Sequence, residues 1–315
     1  MRRVALIYNP FSGQHSSRRS AQLAAALAAL RQAGVEAEAV GTQASGSAGA
    51  HALAAIDRGC DTILACGGDG TVHEILQCLV GKSIALGVVP LGTANALAAD
   101  LGLLGSPVNA VRMLLQSVPV QVPVGRIVYR DSTGAERSRY FTVAAGVGAD
   151  ALLMSRLDAG LKRRFGYALY LVEAVRIWAT SPFPLFEVVF TSNGNGSCVL
   201  EASQVLAVRV RSFGGVLGNL VPGATLHQDS LRLIAFKTRD RLRYLRFLMA
   251  AMAGRQTFSD EIQLIEADSV ECRPRNRSRS QVLVEADGEV LGGLPARLDV
   301  ASQTVTLLIP PNARP

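Results

Sequence analysis

Two short stretches of this 315-residue chain carry residue types that could do chemistry. The first is Cys66-Gly67-Gly68-Asp69-Gly70-Thr71-Val72-His73-Glu74. Apolar residues 61–66 predict a buried strand that feeds a glycine turn and then a helix start. Gly67, Gly68 and Gly70 are expected to take backbone conformations closed to side chains and to let a ligand approach the main chain. Thr71 and Glu74 form a T-x-x-E capping box ahead of Ile75, Leu76 and Leu79. The free amides and partial positive charge of a helix N-terminus suit phosphate. Asp69, an acid among glycines, suits a metal ion or proton held beside that phosphate. The second stretch is Asp287-Gly288-Glu289, which follows apolar Val282-Leu283-Val284. By itself it reads first as a hairpin turn, since Asp-Gly is a common turn signal. A further acid, Asp150, closes Gly146-Val147-Gly148-Ala149-Asp150-Ala151 and is expected near a domain junction. That stretch fits G-x-G-x-x-A but stands in a β-rich half, away from the α/β units a dinucleotide motif needs.

The elements that must position these residues follow a regular order. Residues 4–8 predict a strand that ends in the loop Asn9-Pro10-Phe11-Ser12-Gly13. A helix over 20–32, stopped by Gly34, leads to a strand over 35–40 and a polar loop that begins Gly41-Thr42. A helix over 50–58 precedes the glycine turn, whose own helix is expected to end near Gly81. A strand over 84–89 runs into Pro90-Leu91-Gly92-Thr93-Ala94-Asn95 and another helix. Such alternation argues for a parallel, doubly wound sheet, with ligands outside the carboxyl ends of the strands. Three candidate loops follow strands, so they should share one edge.

After about Val120 the pattern changes. Strands are expected over 122–130, 139–145, 186–190, 205–211, 231–236, 262–266, 281–285 and 304–309. Turns are expected at Asp131-Ser132-Thr133-Gly134 and Asn193-Gly194-Asn195-Gly196, and helices over 149–177, broken near Gly160, and over 241–253. The expected fold is therefore α/β. A doubly wound parallel-sheet domain covers residues 1–122, and the last strand, 303–315, is a candidate to return to it. A mostly β half covers 123–302.

Composition narrows the function classes. The net charge of +7 is concentrated in Lys162-Arg163-Arg164, in Arg239, Arg241, Arg243 and Arg246, and in Arg273, Arg275, Arg277 and Arg279. Without a nucleic-acid motif, such runs favour an anionic membrane surface, where each cation is worth about 1 kcal/mol. No run is apolar over the roughly 18 residues a membrane-spanning helix needs. No secretory signal is read at the N-terminus. Five cysteines without C-x-x-C spacing fit a reducing compartment with no disulfide framework and no zinc site. The phosphate-loop pattern G-x-x-x-x-G-K-[ST] is missing, and Ser12 has no evident Ser-His-Asp partners.

Taken together, these pieces resemble the bacterial diacylglycerol kinase and sphingoid-base kinase superfamily of lipid kinases. The likeness runs through Asn9-Pro10-Phe11-Ser12-Gly13, Gly67-Gly68-Asp69-Gly70-Thr71 with Glu74, and Pro90-Leu91-Gly92-Thr93-Ala94-Asn95 with Ala98-Ala99-Asp100-Leu101-Gly102. It continues in residues 146–151, Gly166-Tyr167-Ala168-Leu169-Tyr170, residues 222–233 and Asp287-Gly288-Glu289. The resemblance implies a nucleotide-binding α/β domain over 1–122, a mostly antiparallel β-sandwich lipid-substrate domain over 123–302, and transfer of the γ-phosphate of ATP, with Mg2+, to a lipid hydroxyl. Diacylglycerol, giving phosphatidic acid, is the leading acceptor. Glu289 would be the general base, with Asp69 supporting catalysis through metal or proton. Asn9, Pro10, Ser12, Gly13, Thr42, Gly67, Gly68, Gly70, Thr71, Glu74, Gly92, Thr93, Asn95, Asp150 and Asp287 are carried over to the nucleotide site. A family structural Mg2+ would fall on Leu226, Asp229 and Leu231, the leucines acting through carbonyl oxygens.

The chain departs from the family pattern at three places. Ala96 stands where an acid is usual, Gln14 and His15 stand where a cation is usual, and Ser230 follows Asp229 where Gly is usual. The implied partners are a lipid substrate and an anionic membrane met peripherally by a cytoplasmic protein; nucleic acid is not expected, and a homodimer is left open. Alternative readings are a kinase of sphingoid bases, ceramide or another lipid, an NAD kinase-like enzyme, and a catalytically idle nucleotide-binding membrane module.

Overall fold

The computed structural model describes residues 1–10, 16–44, 46–92, 94–156, 172, 176, 179–192, 195–213, 218–275, 281–311 and 313. Ser12, Gly13, Thr93, residues 162–164 and 166–170, Arg277 and Arg279 lie outside them. The chain divides into two units, Met1–Val124 with Gln303–Pro315, and Gly125–Ser302.

In the first unit strands and helices alternate: β1 (Arg3–Tyr8), α1 (Ser16–Gln32), β2 (Glu36–Gly41), α2 (Ser47–Asp57), β3 (Thr62–Gly67), α3 (Asp69–Leu79), β4 (Ala85–Pro90), α4 (Ala96–Asp100) and α5 (Pro107–Leu115). The sheet order β2-β1-β3-β4 is parallel throughout. Thr306 and Leu307, near the end of the last strand, add to β4 in parallel. α1 packs with α5 and α2 with α3, the two helix layers of a doubly wound fold. β3 and β4 are buried along their whole length, in keeping with the near-continuous apolar sequence of central parallel strands. The sequence reading did not resolve α5, although its signal is local: the Ser106 hydroxyl accepts from the Asn109 amide, and Pro107 opens the helix.

The second unit contains β5 (Val118–Arg130) from Gly125 onward, β6 (Glu136–Phe141), β7 (Ala144–Gly148), α6 (Ala149–Arg156), β8 (Phe186–Ser192), β9 (Asn195–Ala202), β10 (Gln204–Val208), β11 (Leu231–Phe236), α7 (Arg241–Met252), β12 (Ile262–Ala267), β13 (Ser269–Arg273), β14 (Leu283–Ala286) and β15 (Glu289–Ile309) as far as Ser302. Its pairings are antiparallel, along the path β12-β11-β10-β7-β14-β15. Phe141, Val147, Phe186, Val205, Leu233, Val284 and Leu298 pack in its core.

Two strand expectations need correction. The single strand predicted over 139–145 is broken at Thr142 and Val143. The amides of Thr142, Val143 and Ala144 turn to the Asp287 carboxylate, 2.9–3.1 Å away, and leave the ladder. The strand placed at 304–309 is the tail of β15, which starts at Glu289. β13, unread in the sequence, pairs with β15 from Ser269 opposite Asp299 to Cys272 opposite Ala296. Polar and charged residues interrupt both segments, and long-range pairing overrides their weak local pattern.

Candidate active site

In the first unit the loops after β1, β2, β3 and β4 meet at the carboxyl edge of the sheet. The Asn9 amide donates to the Cys66 carbonyl, and the Thr42 amide to the Tyr8 carbonyl. The amides of Leu91 and Gly92 both donate to the Gly67 carbonyl, at 2.9 and 3.2 Å. The glycine turn and the Gly92 loop touch backbone to backbone: a Cβ on Gly92 would fall 2.5 Å from the Gly68 Cα. One on Gly67 would fall 2.3 Å from the Thr71 hydroxyl. Gly67, Gly68 and Gly70 all have ordinary negative or extended φ. Close contact explains Gly67, as it does Gly92, which corrects the expected conformational reason there.

The expected capping box is also corrected. α3 starts at Asp69 with Gly68 as its cap, so Thr71 lies within the first turn. Glu74 reaches instead to the start of α2, where its carboxylate accepts from the amides of Gly46, at 2.7 Å, and Ala48, at 3.0 Å. It thereby holds the loop that begins at Thr42. Asn95 takes a left-handed conformation, φ 51°, and both ends of its amide bond the main chain of Gly92, at 3.0 and 2.8 Å. It shapes its own loop. Asp69 is half-buried at the first position of α3, where an anionic group meets free helix amides. Pro10 follows Asn9 directly after β1.

The second unit gathers a different set. Asp287 and Gly288, at φ 48° and 84°, form the two-residue turn between β14 and β15. The hairpin reading therefore holds, and it is what presents Glu289, exposed at the first position of β15. Asp287 is buried, with its carboxylate on the three amides that break the strand. Its geometry is that of an anchor rather than of a nucleotide contact. The Gly288 amide donates to Glu285, a buried carboxyl next to the turn.

Asp150 sits in the first turn of α6, in the second unit, and packs on Gly146, where a Cβ would fall 1.6 Å from its Oδ2. Its carboxylate oxygens are shut off from solvent. Burial pushes Asp150 up to about 7, and burial with repulsion from Asp150 raises Glu285 well above the carboxylate range. Two facing buried carboxyls share protons as a pair.

The implied structural metal does not fit. Leu226 is buried, Asp229 is exposed and Leu231 opens β11 with its side chain in the core. The carbonyl oxygens of this turn already face a cation: the buried Arg209 guanidinium donates to Leu226, Gln228 and Ser230 at 3.2, 2.9 and 3.5 Å. Arg209 was missed because Val208-Arg209-Val210-Arg211 looks like an alternating strand with its arginines outward.

The basic runs are partly occupied. Arg243 pairs with Asp240 and Glu261, Arg273 with Glu271 and Glu187, and Arg275 with Glu201. The Arg241 guanidinium donates to the carbonyls of Ala179 and Ser181. No described helix is long and apolar enough to cross a membrane.

Comparison with known proteins places residues 3–127 in the diacylglycerol kinase catalytic domain and residues 142–309 in the YegS C-terminal NAD kinase beta sandwich-like domain. A diacylglycerol kinase of Mycobacterium tuberculosis is 29% identical over 314 residues, covering 98% of this chain and 95% of its own. One of Bacillus subtilis is 25% identical over 298 residues, covering 94% and 92%. Among solved structures, a diacylglycerol kinase of Bacillus anthracis superposes with a TM-score of 0.71 at 19% identity, over 99% of this chain and 98% of that one, a likeness of fold.

Proposed function

The chain belongs to the diacylglycerol kinase family, with its catalytic domain followed by the YegS-type C-terminal domain, and from that premise we propose that it transfers the γ-phosphate of ATP to a lipid hydroxyl, diacylglycerol first among acceptors. One observation carries the nucleotide half of this reading: the backbone contact of Gly68 with Gly92 at the carboxyl edge of a parallel sheet. It keeps side chains off the main chain beside the N-terminus of α3, whose first-turn amides are where a polyphosphate is held. The first-unit loops with Asn9, Pro10, Thr42 and Gly92 are assigned to ATP. Asp69 is the acid placed for the Mg2+ that ATP brings as its complex. Phosphoryl transfer is mainly positioning and charge neutralisation. A neutral hydroxyl acceptor adds the need for a base, and exposed Glu289 on its rigid hairpin is assigned that role.

A lipid acceptor also requires contact with a membrane. We place that contact on α7, where Leu242 and Met249 are 56% and 62% exposed and Arg246 lies on the surface between them, with exposed Arg239 just ahead of the helix. An apolar and basic helix face suits an anionic interface. Co-sedimentation with phosphatidylglycerol-rich vesicles should fall when Leu242 and Met249 are both changed to Glu; unchanged binding removes α7 from the proposal.

The decisive assay incubates the purified protein with labelled ATP, Mg2+, a total lipid extract and NAD, and identifies every labelled product. Labelled phosphatidic acid is expected. Labelled NADP without labelled lipid replaces this reading with the NAD kinase-like one.

A further inference from the structure

The cation in the 226–230 turn belongs to the chain itself. Arg209 follows β10, and its amide donates to the Val143 carbonyl at 2.9 Å, beside the amides that hold Asp287. Its side chain is 1% exposed, among the largest fully buried groups of the protein. An arginine so buried is costly unless its charge and donors are met. Its Nη groups meet the carbonyls of Leu226, Gln228 and Ser230, and the negative charges of Asp229 and Asp287 favour its charged form. Burial lowers its pKa to about 10, which still leaves it charged at neutral pH. The Ser230 hydroxyl turns away to Glu266, at 2.8 Å, so the residue that replaces the usual Gly adds no ligand to the turn.

We infer that the Arg209 guanidinium takes the place of a structural divalent ion, so that this chain orders the 226–230 turn and the Asp287 hairpin without a metal there. Carbonyl oxygens converging with a carboxylate are what a hard cation selects, and a planar guanidinium satisfies several such acceptors at once. One residue then links three segments: residues 142–144 through its amide, residues 226–230 through its fork, and Asp287 through its charge. Arg209 is thereby a positioning residue for Glu289, a role that rests on the base assignment above; the absence of a metal requirement does not.

Two measurements separate these parts. The protein is purified in Mg2+ without nucleotide, desalted, and its metal content read by mass spectrometry, with melting followed in chelator and in excess Mg2+. No stoichiometric divalent ion and an unmoved melting temperature are expected. About one retained ion per chain, or a melting temperature that chelator lowers and Mg2+ restores, overturns the inference. Arg209→Lys keeps the charge and loses the fork. It should lower kcat by on the order of tenfold to a hundredfold through a displaced hairpin while leaving KM for ATP unchanged. Unaltered kcat removes the positioning role. If no lipid is phosphorylated by any form of the protein, the kinase reading fails and the metal measurement still decides the cation.

Discussion

The two units solve opposite electrostatic problems. At the carboxyl edge of the parallel sheet the described site is made largely of main chain. Gly92 lies against Gly68, and Gly67 against Thr71, because Gly92 and Gly67 lack side chains, and Glu74 and Asn95 serve to hold loops. Around the Asp287 hairpin the second unit buries ionisable groups instead: charged Asp287 on three amides, charged Arg209 in a ring of carbonyls, and Glu285 and Asp150 held toward their protonated forms by burial. A ligand that brings its own charge, such as a polyphosphate, needs oriented dipoles and little else. A neutral acceptor brings none, so the protein must supply the charge and balance it internally. That difference predicts where each unit will break.

The largest expected effect is at Glu289. If the charged unit supplies the base, Glu289→Gln should lower the transfer rate by about 10²–10⁴-fold. Nucleotide affinity, measured by calorimetry, should stay near wild type because it belongs to the other unit. Full activity in this variant would dissolve the comparison.

A crossed pair of variants sharpens it. Asp287→Ala strips the acceptor from three buried amides and should cost about 3 kcal/mol or more in urea unfolding. Gly92→Ala pushes a Cβ into Gly68 and should raise KM for ATP at least about tenfold, a loss of roughly 1.4 kcal/mol of binding. If Gly92→Ala proves neutral for ATP and Asp287→Ala neutral for stability, the division of labour is wrong.

The smallest effect concerns pH. Asp150 holds its proton up to about 7 in the fold, against an ordinary value of 3.8. The folded state therefore binds that proton more tightly than the unfolded chain does. Its contribution to stability falls as pH rises from about 4 to about 7 and stays low above that. Asp150→Asn, which mimics the protonated form, should flatten the fall and raise the melting temperature by a few degrees at pH 8 but not at pH 4. Parallel pH profiles for the two proteins would show that the buried acid carries no such penalty.

Legibility followed the range of the interactions. α3 was visible from its glycine turn and apolar spacing, but Glu74, placed by the local T-x-x-E pattern in its own helix cap, caps α2 instead. β6 and β7 were read as one strand because nothing near Thr142 announces an acid 145 residues later in the chain. Asp287-Gly288 was readable as a turn, since its dihedral demands are local. That the turn is pinned by its own Asp was not.

The sequence by itself determined the alternation of strands and helices, the change to antiparallel structure after about Val120, and the motifs that carry the family likeness. Each depends on residue type and on spacing within a turn or a strand. Only the tertiary structure decided which groups face one another. Gly68 meets Gly92, Asp150 meets Glu285, and Arg209 turns inward among carbonyls where its alternating neighbours pointed it to solvent. The reason is physical: a buried charge is tolerable only where distant segments bring its partners, and local periodicity says nothing about which segments those will be.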